Sequence, residues 1–327
     1  ANWNGARGFT ATSGPGISLM SEFLGLAYFA EVPLVIFNIQ RGGPSTGMPT
    51  RTQQSDILSC AYASHGDTKH VLLFPEDPQE CFEFSAEAFN LAERLQTPVF
   101  VISDLDIGMN DWVTDKFEWD DEQKYDRGKV LKAEDLDKMD NFGRYLDVDD
   151  DGICYRTYPG THPEKGAFFT RGTSHDEYAR YTENGDINEQ TLTRLVKKFR
   201  TASELVPDPI INLSEKQGSS GVIFYGSTSA AMYEAKDILN ENNIEVDLMR
   251  IRSFPFNLDV WEFIENHDLI YVIEQNRDSQ MRTLIMAEGG ISAEKLRSLV
   301  WFNGDPIQAK FIAKKIYERE SQQALIT

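Results

Sequence analysis

The N-terminal third of the chain alternates between apolar runs of strand length and segments with helical spacing. Pro33–Ile39 and Pro98–Asp104 are continuous apolar runs, which is typical of strands buried on both faces of a sheet. The order predicts β-α-β-α-β-α-β, and therefore a parallel sheet covered by helices. The predicted elements are strand Arg7–Thr12, helix Ile17–Ala30, strand Pro33–Ile39, helix Gln54–Gly66, strand Val71–Pro75, helix Pro78–Gln96 and strand Pro98–Asp104.

A second alternation predicts a second, smaller α/β domain. Between the two alternations, residues 106–209 are polar and mostly aperiodic, apart from one amphipathic helix over Ile187–Leu205. Ordered segments of this length are usually functional or interfacial. We therefore predict domains at 1–209 and 210–327, the second with strands Gly221–Ser227, Glu245–Ile251 and Leu269–Asn276, and helices Met232–Asn243, Leu258–His267, Met281–Gly289 and Pro306–Gln323.

Charge and cysteine content exclude several classes of protein. The formal net charge is −20, with 52 acidic and 32 basic side chains, so nucleic acid and anionic membranes are not expected partners. No apolar run approaches the about 18–20 residues that span a bilayer. The three cysteines form no CxxC motif and predict neither disulfides nor a metal or iron–sulfur site. We expect a cytoplasmic protein.

The stretch Gln40–Asp56, QRGGPSTGMPTRTQQSD, follows a buried strand, and ligands in such sheets bind beyond the carboxyl ends of strands. Arg41 could make a bidentate contact with a carboxylate, and Thr50 is one of several threonines that supply hydroxyls. This chemistry suits a small carboxylic acid substrate. A solvent-facing loop whose arginine pairs with a surface carboxylate fits the residues equally well.

The turn Ser13–Gly16, SGPG, lies between a predicted strand and a helix. Free N–H groups at such a helix start can hold an anion or a polar ring, while the simpler alternative is a tight turn with Ser13 as the helix cap. No GxGxxG or GxxxxGK[ST] motif supports a dinucleotide or P-loop site.

Three further motifs carry weaker signals. Asp147–Gly152 (DVDDDG) imitates the start of an EF-hand, but Tyr158 stands where the bidentate acid is required, so an acidic turn is favoured. His175, beside two acids, is interpreted as a hydrogen-bonded loop histidine. Glu274–Asn276 (EQN), at a predicted strand end, could face a ligand or simply cap the next helix.

Taken together, the stretches GARGFTATSGPGISLMSE, IQRGGPSTGMPTRTQQSD, PGTHPEKGAFFTRGTSHDEY and YVIEQNRDSQMR resemble the alpha subunit of the 2-oxoacid:ferredoxin oxidoreductases, especially the 2-oxoglutarate type. The resemblance implies a thiamine diphosphate pyrimidine-binding domain followed by a transketolase C-terminal-like domain. It implies oxidative decarboxylation of a 2-oxoacid to acyl-CoA and CO2, with reduction of ferredoxin. Arg41 and Thr50 fall on the family's substrate-binding positions, and Ser13 and Gly14 on the turn near the cofactor pocket.

The resemblance also implies parts that the sequence lacks. The family's pyrimidine-activating Glu is expected upstream of Ala1, the first residue here, so we expect that an N-terminal part is missing and that no catalytic residue is certain in this chain. No GDG-type motif for diphosphate and Mg²⁺ occurs. In the family, the diphosphate, Mg²⁺ and iron–sulfur sites lie on a beta subunit, a gamma domain or subunit is associated with coenzyme A, and ferredoxin is reached through the complex.

Two other functions remain open. One is a non-catalytic structural or assembly subunit with the same fold. The other is a thiamine diphosphate enzyme of the transketolase or branched-chain dehydrogenase class, although those enzymes lack the QRGGPSTGMPTRT loop.

Overall fold

The computed structural model describes residues 1–214 and 220–324. Residues 215–219 and 325–327, which fall in the second predicted domain, lie outside this description. The strands are β1 (Phe9–Thr12), β2 (Leu34–Gln40), β3 (Val71–Leu73), β4 (Pro98–Asp104), β5 (Ile210–Asn212), β6 (Gly221–Tyr225), β7 (Asp247–Ile251), β8 (Ser253–Phe254), β9 (Ile270–Glu274) and β10 (Leu296–Val300).

Short and long helices alternate with these strands, after a 3-10 turn at Asn2–Asn4. They are α1 (Gly14–Leu19), α2 (Ser21–Phe29), α3 (Ile57–Ala61), α4 (Pro78–Leu95), α5 (Leu105–Met109), α6 (Ala133–Asp137), α7 (Gly185–Ala202), α8 (Thr228–Glu241), α9 (Leu258–Glu265), α10 (Gln280–Gly289) and α11 (Ala309–Ala324). The predicted helix Ile17–Ala30 is therefore two helices, which meet at Met20. The helix predicted from Gln54 is only the short α3.

The first sheet has the strand order β1-β2-β4-β3-β8. Its first four strands are parallel, and β8 is antiparallel to β3. Every residue of β4 is buried, because helices cover both faces of this central strand. The long α4 begins at a capped end, where Asp77 Oδ1 accepts a hydrogen bond from Glu80 N at 2.7 Å. It buries one stripe that includes Phe84, Ala88 and Leu91 against the sheet.

The second sheet has the order β10-β9-β6-β7-β5. Four strands are parallel, and the edge strand β5 is antiparallel to β7. All residues of β6, β7 and β9 are buried. The prediction of a mixed α/β fold with parallel sheets is confirmed.

The polar excursion 106–209 packs against the first sheet's helices rather than forming a sheet of its own. Arg156, 4% exposed, forms an ion pair of 2.5 Å with Glu93 of α4. Gln96 donates to the carbonyl of Cys154 at 2.6 Å. The predicted charged helix is α7, which begins at the capping residue Asn184.

The two sheets interlock. β8 follows β7 directly in the chain, yet it pairs with β3 of the first sheet. β5, which opens the second predicted domain, belongs to the second sheet. The boundary at 209/210 stays a prediction. Within the described residues, no helix is both long enough and apolar enough to cross a membrane.

Candidate functional site

A cleft of about 540 Å³ lies where the carboxyl ends of strands from the two sheets meet. Three segments build its walls: the turn between β1 and α1, the loop after β2, and the turn after β9. The lining residues include Gly14, Pro15, Ser18, Arg41, Gly43, Pro44, Ser45, Met48, Gln53, Ser55, Asp56, Ser59, Asn276, Arg277, Asp278, Gln280 and Phe302. Most of the lining residues are therefore polar in type.

Arg41 follows the last residue of β2 and is partly buried in the cleft wall. Its Nε is buried and has no hydrogen-bond partner. Within residues 1–214 and 220–324, Arg41 forms no salt bridge, although most of the buried arginines do, Arg156 and Arg250 among them. A guanidinium held in a cleft without a paired anion can bind an anionic ligand.

Backbone hydrogen bonds close the loop after β2 on itself. Gly42 N donates to Arg51 O at 2.8 Å, and Met48 N donates to Gly42 O at 2.7 Å. Gly47 has a φ of 49°, and a Cβ there would lie 1.8 Å from the Gly42 carbonyl oxygen. Only glycine fits this close approach. These contacts give the loop a compact shape beside Arg41, which lies at its base.

Gln54 attaches this loop to the second sheet. Its side chain is 1% exposed, and its Nε2 lies 3.2 Å from Asp104 Oδ2. Its Oε1 accepts from Thr228 Oγ1 and from Gln275 N, both at 3.2 Å. Asn276 Nδ2 donates to the Gln54 carbonyl at 3.0 Å. One buried amide thus joins the ends of strands from both sheets.

Two buried carboxyl groups anchor this network. Asp104, at the end of β4, accepts from Ser227 Oγ at 2.6 Å and from Gln54. Glu274, at the end of β9, accepts from Met281 N and Asn276 Nδ2. Burial raises the pKa of both groups, and the neutral donors only partly offset that effect. Neither carboxyl forms an ion pair within the described part of the chain.

Asp56 is a third carboxyl group, and it lines the cleft. Asn38 Nδ2 donates to its Oδ2 at 3.2 Å. Burial raises the pKa of Asp56, while the hydrogen bonds from Asn38 and the Gly14 N–H and the positive charge of Arg41 act in the opposite direction. The cleft therefore carries both a cation and a carboxyl group.

The predicted site residues are only partly brought together. Arg41 and Gly14 both line the cleft. Ser13 precedes α1, but its side chain makes no capping hydrogen bond. Thr50 is exposed on the loop and is not among the cleft-lining residues. The binding roles of these four residues stay predictions.

The pyrimidine-activating Glu expected upstream of Ala1 has no counterpart in the cleft lining. Ala1 is exposed, and its carbonyl oxygen accepts hydrogen bonds from Asn4 N at 3.0 Å and Ala6 N at 3.3 Å. Among the residues that the structure describes, the cleft lining contains no glutamate, and Glu274 lies in the network beneath it. The position of the activating acid before Ala1 therefore stays a prediction, and no catalytic residue is assigned within this chain.

The EQN motif does more than cap a helix. Asn276 lines the cleft, and Gln275 and Glu274 belong to the buried network beneath it. Residues Gln54, Asp56 and Gln280 were not singled out from the sequence. A usable signal existed for the first two, because several polar residues stand together just before the apolar start of α3.

The other two motifs lie away from the cleft. In the acidic turn, Lys129 forms ion pairs with Asp149 at 2.7 Å and Asp151 at 2.9 Å. His175 is a buried loop residue whose Nδ1 lies 3.0 Å from the Thr173 carbonyl oxygen, in agreement with the hydrogen-bonded interpretation. Within the described ranges, no group of three or more His, Cys, Asp or Glu side chains could hold a metal ion.

The fold and the cleft define a mixed α/β protein with a cleft where the carboxyl ends of parallel strands from two sheets meet. Comparison with known proteins gives the family. Residues 1–201 match the family described as pyruvate flavodoxin/ferredoxin oxidoreductase, thiamine diP-bdg, and the chain belongs to this family. The resemblance to its alpha subunits is confirmed.

Curated relatives carry related names. The chain is 32% identical over 332 residues to 2-oxoacid:ferredoxin oxidoreductase 2, subunit alpha, of Aeropyrum pernix, covering 99% of this chain and 50% of the relative. It is 35% identical over 272 residues to 2-oxoglutarate synthase subunit KorA of Methanocaldococcus jannaschii. That alignment covers 80% of this chain and 67% of the relative. The chain thus spans about half the length of the first of these relatives.

A solved structure has the same fold. It is 2-oxoglutarate:ferredoxin oxidoreductase from Magnetococcus marinus with 2-oxoglutarate, coenzyme A and succinyl-CoA bound. The TM-score is 0.86 at 27% identity, covering 97% of this chain and 54% of that chain.

Proposed function

We propose that this chain is the substrate-binding alpha-subunit portion of a thiamine diphosphate-dependent 2-oxoacid:ferredoxin oxidoreductase. The reaction is oxidative decarboxylation of a 2-oxoacid, with 2-oxoglutarate favoured, to acyl-CoA and CO2 with reduction of ferredoxin. One observation carries the proposal: Arg41 stands in the cleft without a paired anion in the described residues. Relatives whose names include 2-oxoacid and 2-oxoglutarate support the class of substrate.

In this proposal Arg41 binds a carboxylate of the oxoacid. The guanidinium can offer two parallel N–H donors to the two carboxylate oxygens, and the partly buried position keeps that contact strong. Thr50 supplies a hydroxyl from the same loop. Its present position outside the cleft lining means that the loop would bring it to the ligand only on binding or assembly.

The residues of this chain fit the ring of thiamine diphosphate but not its diphosphate group. Ser13 and Gly14 would lie against its ring, because Gly14 lines the cleft and lacks a side chain there. The chemistry that the cofactor supplies is nucleophilic attack on the oxo carbon. As the family resemblance implies, the diphosphate, its Mg²⁺ and the iron–sulfur cluster would be held by a partner subunit.

The proposed partners are a beta subunit that carries those sites, a gamma domain or subunit, and ferredoxin through the complex, with coenzyme A as co-substrate. The "subunit alpha" names of the relatives support a complex of several chains. The three free cysteines are compatible with a cytoplasmic location. Purification from the source cells with intact-mass measurement should recover a partner chain that has a diphosphate motif and cluster cysteines.

Arg41→Ala in the assembled enzyme tests the substrate role. Loss of a charge-assisted carboxylate contact costs about 1.5–3 kcal/mol, so KM for the oxoacid should rise by roughly ten- to a hundredfold. The KM of Arg41→Lys should lie between those of the wild type and Arg41→Ala, because lysine keeps the positive charge but cannot make the bidentate contact. Steady-state kinetics with 2-oxoglutarate and pyruvate would show which acid depends more on Arg41.

Arg51→Ala is the matched control. Arg51 belongs to the same loop, but it is exposed, lies outside the cleft lining and forms an ion pair of 3.2 Å with Asp305. Such surface pairs contribute about 0–1 kcal/mol, so KM should change little. An Arg41→Ala enzyme with wild-type KM and kcat would rule out the proposed substrate role.

A further inference from the structure

Asp56 occupies the cap position of α3, yet its side chain does not cap that helix. An aspartate in this position ordinarily accepts a hydrogen bond from a backbone N–H of the first turn. Here the Asp56 carbonyl accepts from Cys60 N at 2.9 Å, and the carboxyl group makes no capping bond. The carboxyl group lines the cleft instead. Its orientation therefore has a cause other than helix formation.

Strand β2 and the β1–α1 turn converge on Asp56. Asn38 of β2 donates to Oδ2 at 3.2 Å, and the Gly14 N–H of the β1–α1 turn also donates to it. A Cβ on Gly14 would lie 2.7 Å from Oδ1, so the turn approaches the carboxyl group at glycine distance. The Asp56 N–H donates to Gln40 Oε1 at 2.9 Å. Asp56 is thus fixed against the wall that carries Arg41.

Helix α10, which follows β9 in the chain, holds the Asp56 segment from the other side. Gln280 Nε2 donates to the Ser55 carbonyl at 2.6 Å, and Gln280 Oε1 accepts from Leu58 N at 3.1 Å. These bonds hold the residues on both sides of Asp56. The carboxyl group therefore cannot move far when a ligand enters.

The charges of Asp56 and Arg41 interact, but the groups do not touch. The positive charge of Arg41 acts to lower the pKa of Asp56, and no ion pair within 4.0 Å joins them in the described residues. The other charged residues that line the cleft, Arg277 and Asp278, pair with each other at 2.7 Å. The remaining titratable neighbour is the buried thiol of Cys60. The cleft thus carries a cation at Arg41 and a carboxyl group at Asp56, which form no ion pair in the described residues.

We propose that Asp56 is a specificity-determining residue that orients an anionic ligand in the cleft. Its carboxylate repels the carboxylate of a 2-oxoacid from the β1–α1 turn, so that the acid binds with its charge at Arg41. This inference rests on the proposed function and deepens it, because it names the group that selects one orientation. The selection has a cost, since a negative charge in the cleft weakens binding of every anion.

Asp56→Asn in the assembled enzyme separates charge from shape. Asn38 Oδ1 has no hydrogen-bond partner, so a flip of the Asn38 amide lets it accept from the new amide. We expect KM for 2-oxoglutarate to fall about threefold to tenfold, because repulsion is removed. We expect kcat to fall about threefold to tenfold as well, because most of the acid then binds in the unproductive orientation, which lowers kcat and KM by the same factor. A merely structural role would not lower KM.

Asp121→Asn is the control. It changes the net charge by the same amount as Asp56→Asn, but Asp121 is exposed and lies outside the cleft lining. It should leave KM and kcat unchanged. In the wild-type enzyme, KM should fall as the pH is lowered through the pKa of Asp56, and this dependence should disappear in Asp56→Asn. The pH profile tests the inference even where the variant does not fold.

The outcomes separate the two proposals. A raised KM in Arg41→Ala with unchanged KM in Asp56→Asn overturns the role of Asp56 and leaves the proposed function standing. Unchanged KM in both variants overturns both. A higher KM in Asp56→Asn together with a lower Tm would mean that Asp56 is structural, which also overturns the inference.

Discussion

At the scale of single residues, buried polar side chains set the shape of the cleft. The side-chain amide of Gln54 both donates and accepts hydrogen bonds. Its backbone N–H donates to the Gln275 carbonyl at 2.8 Å. Leaving such groups buried and unpaired costs about 1–3 kcal/mol each, so each of these contacts stabilises the arrangement of the cleft walls. Arg41 and Asp56 therefore face the cleft from a rigid frame.

His70 should make stability depend on pH. It is fully buried, its Nε2 lies 2.9 Å from the Ala63 carbonyl oxygen, and burial lowers its pKa to about 4. Between that value and the unfolded pKa of about 6.5, the unfolded chain binds the extra proton, so stability falls as the pH falls. The contribution lost from pH 7 to 5 is about 2 kcal/mol.

Urea unfolding of His70→Gln at both pH values measures this effect. The variant should lose about 2 kcal/mol less than the wild type on acidification, whatever its stability at pH 7. His65→Gln, which changes an exposed histidine, is the control and should behave as the wild type. Equal losses in all three proteins would contradict the assignment.

At the scale of elements, α7 is attached to the first sheet's helices by a buried ion cluster. Glu31, which follows α2 with a φ of 55°, pairs with Arg194 at 2.5 Å and Lys198 at 2.8 Å. Burial alone would raise the pKa of Glu31, but the two cations hold it well below its ordinary value. The excursion 106–209 is thereby tied to the structure near its end.

Lys198→Met should destabilise the protein. Glu31 keeps Arg194 as a partner but loses a buried charge-assisted hydrogen bond, at a cost of about 1.5–3 kcal/mol. Lys197→Met on the same helix is the matched control, since Lys197 is more exposed and pairs with Asp150 at the surface. Its cost should stay below about 1 kcal/mol. Similar unfolding free energies for both variants would refute this account of α7.

At the scale of the whole molecule, the two sheets form one interlocked body. Arg250 of β7 is 1% exposed and pairs with Glu80 of α4 at 2.5 Å. Arg252 reaches the same carboxylate at 2.8 Å. β8 is also paired with β3 of the first sheet. Separating the two sheets would therefore expose the buried ion pairs and also break the β3–β8 pairing. These contacts hold the two sheets together at their junction.

We expect the two sheets to unfold together in one cooperative transition. In Arg250→Met we expect this single transition to be lost. The substitution removes the cation that pairs with both Glu76 and Glu80 and leaves Arg252 on Glu80, at a cost of about 3–5 kcal/mol. Because the loss falls at the junction, the two sheets should then unfold in separate steps, monitored by near-ultraviolet circular dichroism and tryptophan fluorescence. Arg297→Met, on the exposed face of β10, should keep the single transition.

Elements with strong local signals were predicted closely. β4 was predicted with its observed bounds, because seven consecutive residues suit a doubly buried strand. The predicted Ile187–Leu205 helix is α7 at Gly185–Ala202. β5, β8 and β10 were missed. β5 and β8 are only three and two residues long, and they are strands only because β7 and β3 pair with them.

The α/β class, the family and the candidate role of Arg41 follow from the amino-acid sequence alone, since periodicity and a long specific motif are local properties. The folded structure was needed to show that Arg41 lacks a paired anion among the described residues, that Thr50 lies outside the cleft lining, and that Asp56 turns from its helix to the cleft. These facts depend on which side chains distant segments bring together. Burial and charge pairing arise between segments, so no local pattern specifies them.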